Sequence, residues 1–225
     1  MPQTTCFVFD LDDTLYAEHD YVRSGFAAVD PLAIARLGIQ GFADACWQSF
    51  LDGNHGHIFD EVLLSRFGLV DAEFIGDLAG AYRQHKPRIE LYPDARRVLD
   101  RLRSLALPMP LITDGPSTSQ RAKIEALALE AAFSPLVLTA ELGADRSKPH
   151  PAAFELVQDA LGRDQRFVYI ADNPHKDFLA PNQLGWKSLR VQRPSDLYSG
   201  AIEPTPAHAP QHVVVSLDDV WRFAK

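Results

Sequence analysis

Cysteine is scarce in this chain, positive charge is in deficit, and long apolar runs are missing. Two cysteines, Cys6 and Cys46, in 225 residues cannot build a disulfide framework and lack the spacing of a metal-binding cluster, so each is expected to be a buried thiol. Lys and Arg number 22 against 30 Asp and Glu, a formal net charge of -8, which offers no broad basic surface to nucleic-acid phosphates. No stretch approaches the roughly 18 consecutive apolar residues of a membrane span. The first residues contain no basic region followed by an apolar stretch, so no secretory signal is read there and a cytoplasmic location is expected. A small anionic substrate stays open, because one metal ion and one lysine can reverse the potential inside a pocket.

What the chain does contain is alternation. Short apolar, β-favouring runs occur at Cys6–Phe9, Met109–Thr113, Leu136–Thr139, Phe167–Ala171, Ser188–Val191 and Val213–Val215. Helical spacings separate most of them. Pro93, Ala95, Val98, Leu99, Leu102 and Leu105 mark one amphipathic helix, and Ser117 caps a second that runs to about Leu129. A third runs from Pro151 to Gly162, and Ser216 with Asp219 reads as a capping box ahead of a last helix. Strands alternating with helices predict an α/β fold, a doubly wound parallel sheet buried on both faces. From Tyr16 to Ile89 the alternation stops: Val62, Leu63, Arg66, Phe67 and Phe74, Leu78, Ala81, Tyr82 have helical period, with no strand. The expected organisation is a core of residues 1–15 and 90–225 with an inserted all-helical segment, 16–89. Ser195–Gln211, rich in proline and small residues, is expected to be a solvent-facing loop.

Ligands of parallel α/β sheets bind beyond the carboxyl ends of the strands, so the polar residues just after each apolar run are the ones that converge. Asp10 and Asp12 crowd two like charges together, a cost that a divalent cation would remove. An ordinary acidic turn is the alternative for Asp10–Thr14. Thr113 and Asp114, ahead of Gly115, either offer a hydroxyl and backbone N–H groups to phosphoryl oxygens or form a plain helix-capping turn. Lys148, between Ser147 and Pro149, either neutralises a phosphate or is a solvated surface residue. Asp172, Asn173 and Asp177 follow another strand, where Asp172 could complete an oxygen-rich metal shell or the cluster could favour a helix dipole.

Taken in order, Phe-Asp-Leu-Asp-Asp-Thr-Leu-Tyr at 9–16, Thr-Asp-Gly at 113–115, Lys-Pro at 148–149 and Ala-Asp-Asn-Pro-His-Lys-Asp at 171–177 resemble the haloacid dehalogenase-like (HAD) hydrolase superfamily. The resemblance covers nearly the whole chain, and it likens the helical insertion to that superfamily's first-type cap over a Rossmann-like core. It implies Asp10 as a nucleophile that forms an aspartyl-phosphate, and Asp12 as the acid and base that protonates the leaving alkoxide and then activates water. It further implies Thr113, Asp114 and Lys148 as phosphate-binding groups. Mg²⁺ would be held by Asp10, the Asp12 carbonyl and Asp172, with Asn173 and Asp177 supporting them. The function so implied is hydrolysis of a small phosphomonoester, a sugar phosphate or nucleoside monophosphate, by a monomer or homodimer. Phosphoryl transfer as in the superfamily's mutases, halide displacement, and a non-enzymatic receiver-like module are the alternatives. Among the insertion's polar residues, His19, Arg23, His55, His57, Arg66, His85, Lys86 and Arg88, the sequence singles out no substrate contact.

Overall fold

The computed structural model describes residues 4–69 and 71–224; the first three residues, on which the reading of the N-terminus partly rests, lie outside them. The chain divides into two compact units, Met1–Glu18 with Glu90–Lys225, and His19–Ile89.

The first unit is an α/β fold built on one six-stranded sheet. Its strands are β1 (Thr5–Phe9), β2 (Leu111–Thr113), β3 (Leu136–Leu138), β4 (Arg166–Ala171), β5 (Lys187–Val191) and β6 (His212–Val214), in the order β3-β2-β1-β4-β5-β6. All pair in parallel. β1 lies near the middle, and all five of its residues are buried, as a strand covered on both faces requires. Its side chains alternate: Cys6 and Val8 pack with Ile112, Phe154, Val157, Phe167, Tyr169 and Trp186, while Phe7 meets Trp221 and Phe9 meets Phe133, each edge to face. Each such side chain contributes about 1.5–3 kcal/mol by leaving water. Because the strands are parallel, the residues following β1, β2 and β4 emerge at one edge, and the strand order reverses between β1 and β4, where a crevice opens.

The flanking helices include Pro93–Ser104, Ser117–Ala126 and Ala152–Leu161. The second begins at Ser117 with Pro116 as its N-cap, so Ser117 is its first residue rather than its cap, and it stops short of Leu129 because Ala128 turns to positive φ, 54°. Gly162 closes the third at φ 95°. The C-terminal segment, Leu217–Phe223, is 3₁₀ rather than α-helical. There Ser216 Oγ accepts from Asp218 N (3.1 Å), while Asp94 Oδ2 takes Leu217 N (2.8 Å) and the Ser216 hydroxyl (3.0 Å). The buried carboxylate thus takes two donors at the start of the segment, while Asp219 N turns to Ser216 O at 3.2 Å and no capping box closes. A further short helix, Leu179–Gln183, is too brief to show a period.

The loop after β5 faces solvent over most of its length, as expected, and is pinned at a few points. Asp196 is buried and accepts from Arg193 N and the Tyr92 hydroxyl, both at 3.0 Å. Arg190 donates to the carbonyls of Asp172 (3.0 Å), Tyr198 (2.5 Å) and Ala201 (3.1 Å), and Asn182 Nδ2 to those of Ala207 and Ala209. Proline-rich backbone is poor in donors, and here side chains supply them to its carbonyls.

In the second unit four helices, Glu18–Leu37, Phe42–Leu51, Ile58–Phe67 and Ala72–Gln84, pack round an aromatic centre in which Phe26 contacts Phe50, Phe59 and Tyr82. Asp71 caps the fourth through Phe74 N at 3.0 Å. His55–Gly56–His57 lies in the loop before the third helix. Both cysteines are buried thiols. No helix among the described residues is long and apolar enough to cross a membrane.

Candidate active site

Asp10 is the first residue beyond β1, and its N–H remains in the sheet, donating to Ile170 O at 2.9 Å. That bond aims the carboxylate out of the strand end, and the residue is 3% exposed. Lys148 reaches the same point. Its ammonium spends all three donors, on Asp10 Oδ1 (2.8 Å), Asp177 Oδ1 (2.6 Å) and the Tyr169 hydroxyl (3.1 Å). Burial alone would drive the lysine toward neutrality, but Asp10 and Asp177 outweigh it and hold it protonated, well above its ordinary range.

Asp10, Asp172 and Asp177 bring carboxylate oxygens within 4.8 Å of one another. Asp177 is fully engaged, its second oxygen accepting from Asn173 N at 3.0 Å. Asp172 is buried, and neither of its oxygens accepts a hydrogen bond among the described residues. Burial, then the charges of Asp177 and Asp10, push the Asp172 carboxyl well above the usual range. Burial raises Asp10 to about 7, only partly offset by Lys148. A buried carboxylate without a donor, beside two others, is the environment a hard divalent cation relieves, and an all-oxygen set suits Mg²⁺.

The next carboxylate is held differently. Asp12 Oδ1 accepts from Lys123 Nζ at 2.7 Å and from the Tyr16 hydroxyl, and its Oδ2 accepts from Gln120 Nε2 at 3.1 Å. Burial pulls upward, yet the charge and hydrogen bond of Lys123 and the bond from Tyr16 prevail and hold Asp12 below the ordinary carboxylate range. Asp13 turns away from the site, accepting Glu18 N (2.8 Å) and Leu197 N (2.9 Å), and its φ of 50° lets the chain double back.

Thr113 ends β2, and its hydroxyl donates to Gln120 Oε1 at 3.1 Å. Gly115 then turns at φ 124°, a conformation that favours glycine, and a Cβ there would lie 2.7 Å from Gln120 Nε2 and displace that amide. The Asp114 carboxylate accepts from the Thr139 hydroxyl (2.5 Å) and Lys148 N (3.2 Å), and lies 3.6 Å from Lys176 Nζ. Asn173 Oδ1 accepts from His175 N at 2.9 Å, closing the turn after β4.

The polar residues read from the strand ends therefore form two linked groups: Asp10, Lys148, Asp172, Asn173 and Asp177 on one side, and Asp12, Thr113 and Asp114 on the other. Residues not read from the sequence are Tyr16, Gln120, Lys123, Tyr169 and Lys176. Gln120 and Lys123 had a detectable signal, since they share the helical stripe of Ile124 and Leu127, where a polar residue is out of place.

This crowding has a measurable consequence. Asp10 (about 7), Asp13 (about 6), Glu18 (about 8) and Asp172 all have carboxyls raised chiefly by burial. In the fold each keeps a proton that the unfolded chain has released, so the contribution of these four groups is fullest below about pH 4 and declines as pH rises to about 8, by at most about 1.4 kcal/mol per pH unit for each group. The melting temperature in metal-free buffer is expected to be higher at pH 5 than at pH 8; a melting temperature that rises over this interval would contradict the assignment.

A family model described as haloacid dehalogenase-like hydrolase matches residues 4–185. The chain is 28% identical over 196 residues to a glyceraldehyde 3-phosphate phosphatase of Methanocaldococcus jannaschii, covering 82% of this chain and 83% of the relative. It is 28% identical over 174 residues to an (S)-2-haloacid dehalogenase of Xanthobacter autotrophicus, covering 69% and 65%. Among solved structures, a magnesium-bound HAD hydrolase of Bacillus subtilis superposes with a TM-score of 0.67 over 99% of each chain at 15% identity, a likeness of fold.

Proposed function

Because the chain belongs to the haloacid dehalogenase-like hydrolase family, we propose that it is a Mg²⁺-dependent phosphatase hydrolysing a small phosphomonoester through an aspartyl-phosphate on Asp10. The observation that carries this reading is the contrast between its two motif carboxylates: Asp10 is buried against Lys148, and Asp12 is separately anchored beside the Thr113 turn.

Asp10 attacks phosphorus as the bond to the leaving oxygen breaks. The departing alkoxide takes a proton from Asp12. At rest Asp12 is a carboxylate; the negative charge of the arriving substrate raises its proton affinity and loads it. Water then attacks the aspartyl-phosphate, giving its proton to Asp12, and the Asp10–phosphorus bond breaks to release inorganic phosphate. The Thr113 hydroxyl and the backbone at Asp114 orient phosphoryl oxygens, while Lys148 offsets their charge. Asp10, Asp172 and the Asp12 carbonyl would hold Mg²⁺, with Asn173 and Asp177 as support, and the ion would neutralise charge among the carboxylates and on the phosphoryl group. We assign the helical unit the part of a cap that selects the leaving group.

The family also includes dehalogenases, but a halide departs without a proton, so that chemistry leaves Asp12 and its anchors without a task. The relatives named above support a small phosphorylated metabolite as substrate, and no nucleic-acid polymer or membrane is needed. A panel of phosphorylated sugars, nucleotides and short acids assayed with Mg²⁺ is expected to release inorganic phosphate, and chelation to stop it. Isomerised sugar phosphate without free phosphate would establish a mutase instead; halide release from 2-haloacids without phosphatase activity would establish a dehalogenase.

A further inference from the structure

The helix Ser117–Ala126 contributes none of the short motifs, yet two of its buried polar side chains reach the acid–base carboxylate. Lys123 is 3% exposed and places its ammonium 2.7 Å from Asp12 Oδ1. Gln120, also 3% exposed, lies one helical turn earlier on the same face. Its amide nitrogen donates to Asp12 Oδ2 (3.1 Å) and to Asp114 O (2.7 Å), while its oxygen accepts the Thr113 hydroxyl (3.1 Å). One carboxamide therefore ties the β1 loop to the β2 turn. The Tyr16 hydroxyl completes the set of donors on Asp12.

An aspartate side chain has two free torsions, and a loop carboxylate with solvent on one side ordinarily samples several rotamers. Asp12, with a side chain 18% exposed, has donors on both oxygens, two of them from one rigid helix. A buried lysine is costly unless paired; Asp12 pairs this one, on a stripe that otherwise carries Ile124 and Leu127.

We propose that Lys123 and Gln120 are positioning residues for Asp12, fixing its carboxylate at the angle from which it serves the leaving oxygen and the attacking water. This rests on the phosphatase reading above. It predicts a defect confined to the steps in which Asp12 moves a proton. An alkyl phosphate, whose leaving group needs protonation, is affected; an aryl phosphate, whose phenolate departs unaided, is affected much less in formation of the aspartyl-phosphate.

The test uses the full-length protein with Mg²⁺, an alkyl phosphate turned over by the wild type, and 4-nitrophenyl phosphate. Asp12→Asn, Lys123→Met and the double variant are compared in single-turnover phosphoenzyme formation and steady-state kinetics. Lys123→Met is expected to lower kcat for the alkyl ester about 10- to 100-fold with KM little changed, and aryl phosphoenzyme formation by less than about 3-fold. The double variant is expected to be no slower than Asp12→Asn alone, because a residue that acts through Asp12 has nothing left to position. Equal loss on both esters in phosphoenzyme formation, or losses that multiply in the double variant, would overturn the proposal while leaving the phosphatase reading intact. A wild type without phosphatase activity, or an Asp12→Asn variant that forms the phosphoenzyme equally slowly from both esters, would instead refute the reading itself and the proposal with it. If Lys123→Met does not fold by circular dichroism, Gln120→Met decides by the same ester comparison.

Discussion

Asp10→Asn is expected to eliminate turnover, by at least about 10³-fold, while leaving the melting temperature unchanged or slightly higher. The two halves of this expectation have separate physical origins. An amide oxygen is too weak a nucleophile to displace an alkoxide from phosphorus, so no covalent intermediate forms. The fold, in contrast, gains little from the charge on Asp10: burial raises its carboxyl to about 7, and Lys148 retains Asp177 at 2.6 Å as its counter-ion. A neutral side chain of the same shape removes like-charge crowding beside Asp172 and Asp177. Phosphate release together with a thermal melt reads both. A variant with substantial residual turnover would show that Asp10 is not the nucleophile, whereas a collapsed melt would show that its charge is structural.

Lys148→Met is expected to damage both fold and activity. The side chain is fully buried, and its removal leaves Asp10 and Asp177 facing one another without the ammonium that separates them. Stranding one member of a buried ion pair typically costs about 3–5 kcal/mol. Protonation can relieve that cost, since Asp10 already titrates near neutrality. The loss is therefore expected to be largest at pH 8 and to shrink toward pH 5, opposite to the pattern of a cavity defect, which ignores pH. Where the variant is folded, kcat is expected to fall about 10²- to 10³-fold, as for other preorganised charges that meet a developing anion. Denaturant melts at the two pH values check the first statement, and kinetics at pH 5 the second. Equal destabilisation at both pH values would argue against carboxylate repulsion as the cause.

The sheet was legible because strands covered on both faces are written as short uninterrupted apolar runs, of which Cys6–Phe9 and Phe167–Ala171 are clear examples. The polar residues that end those runs were legible for the same reason: a carboxylate at position 10 or 172 stops an apolar strand abruptly. Gln120 and Lys123 left only a faint mark, their place on the stripe of Ile124 and Leu127; on a helix this rich in polar residues they otherwise look like solvent contacts, and only the fold turns them inward. Tyr16 and Tyr169 were masked more completely, since a phenol reads as core from its ring and as a hydrogen-bond donor only from its neighbours. The C-terminal segment misled because Asp94, far away in sequence, draws in the Ser216 hydroxyl and Leu217 N, and Asp219 N bonds the Ser216 carbonyl in a 3₁₀ turn instead of closing a capping box. The loop after β5 does face solvent, as its composition implies, but its anchoring by Arg190 and Asn182 was not legible.

The strand order also dictates a hazard during synthesis. β1 is made first, yet its longest pairing, Thr5 with Arg166 through Phe9 with Ile170, is with β4. At roughly 5–20 residues per second on the ribosome, the nascent strand waits on the order of ten seconds with the edge that β4 will take open and a largely apolar sequence, paired meanwhile at most with β2 through Phe9. The His19–Ile89 unit emerges in full before that partner exists. Substitutions that slow the docking of β4 should therefore lower the yield of soluble protein in cells, and a chaperone that shields extended apolar segments should restore it, even where the purified variant is as active as the parent.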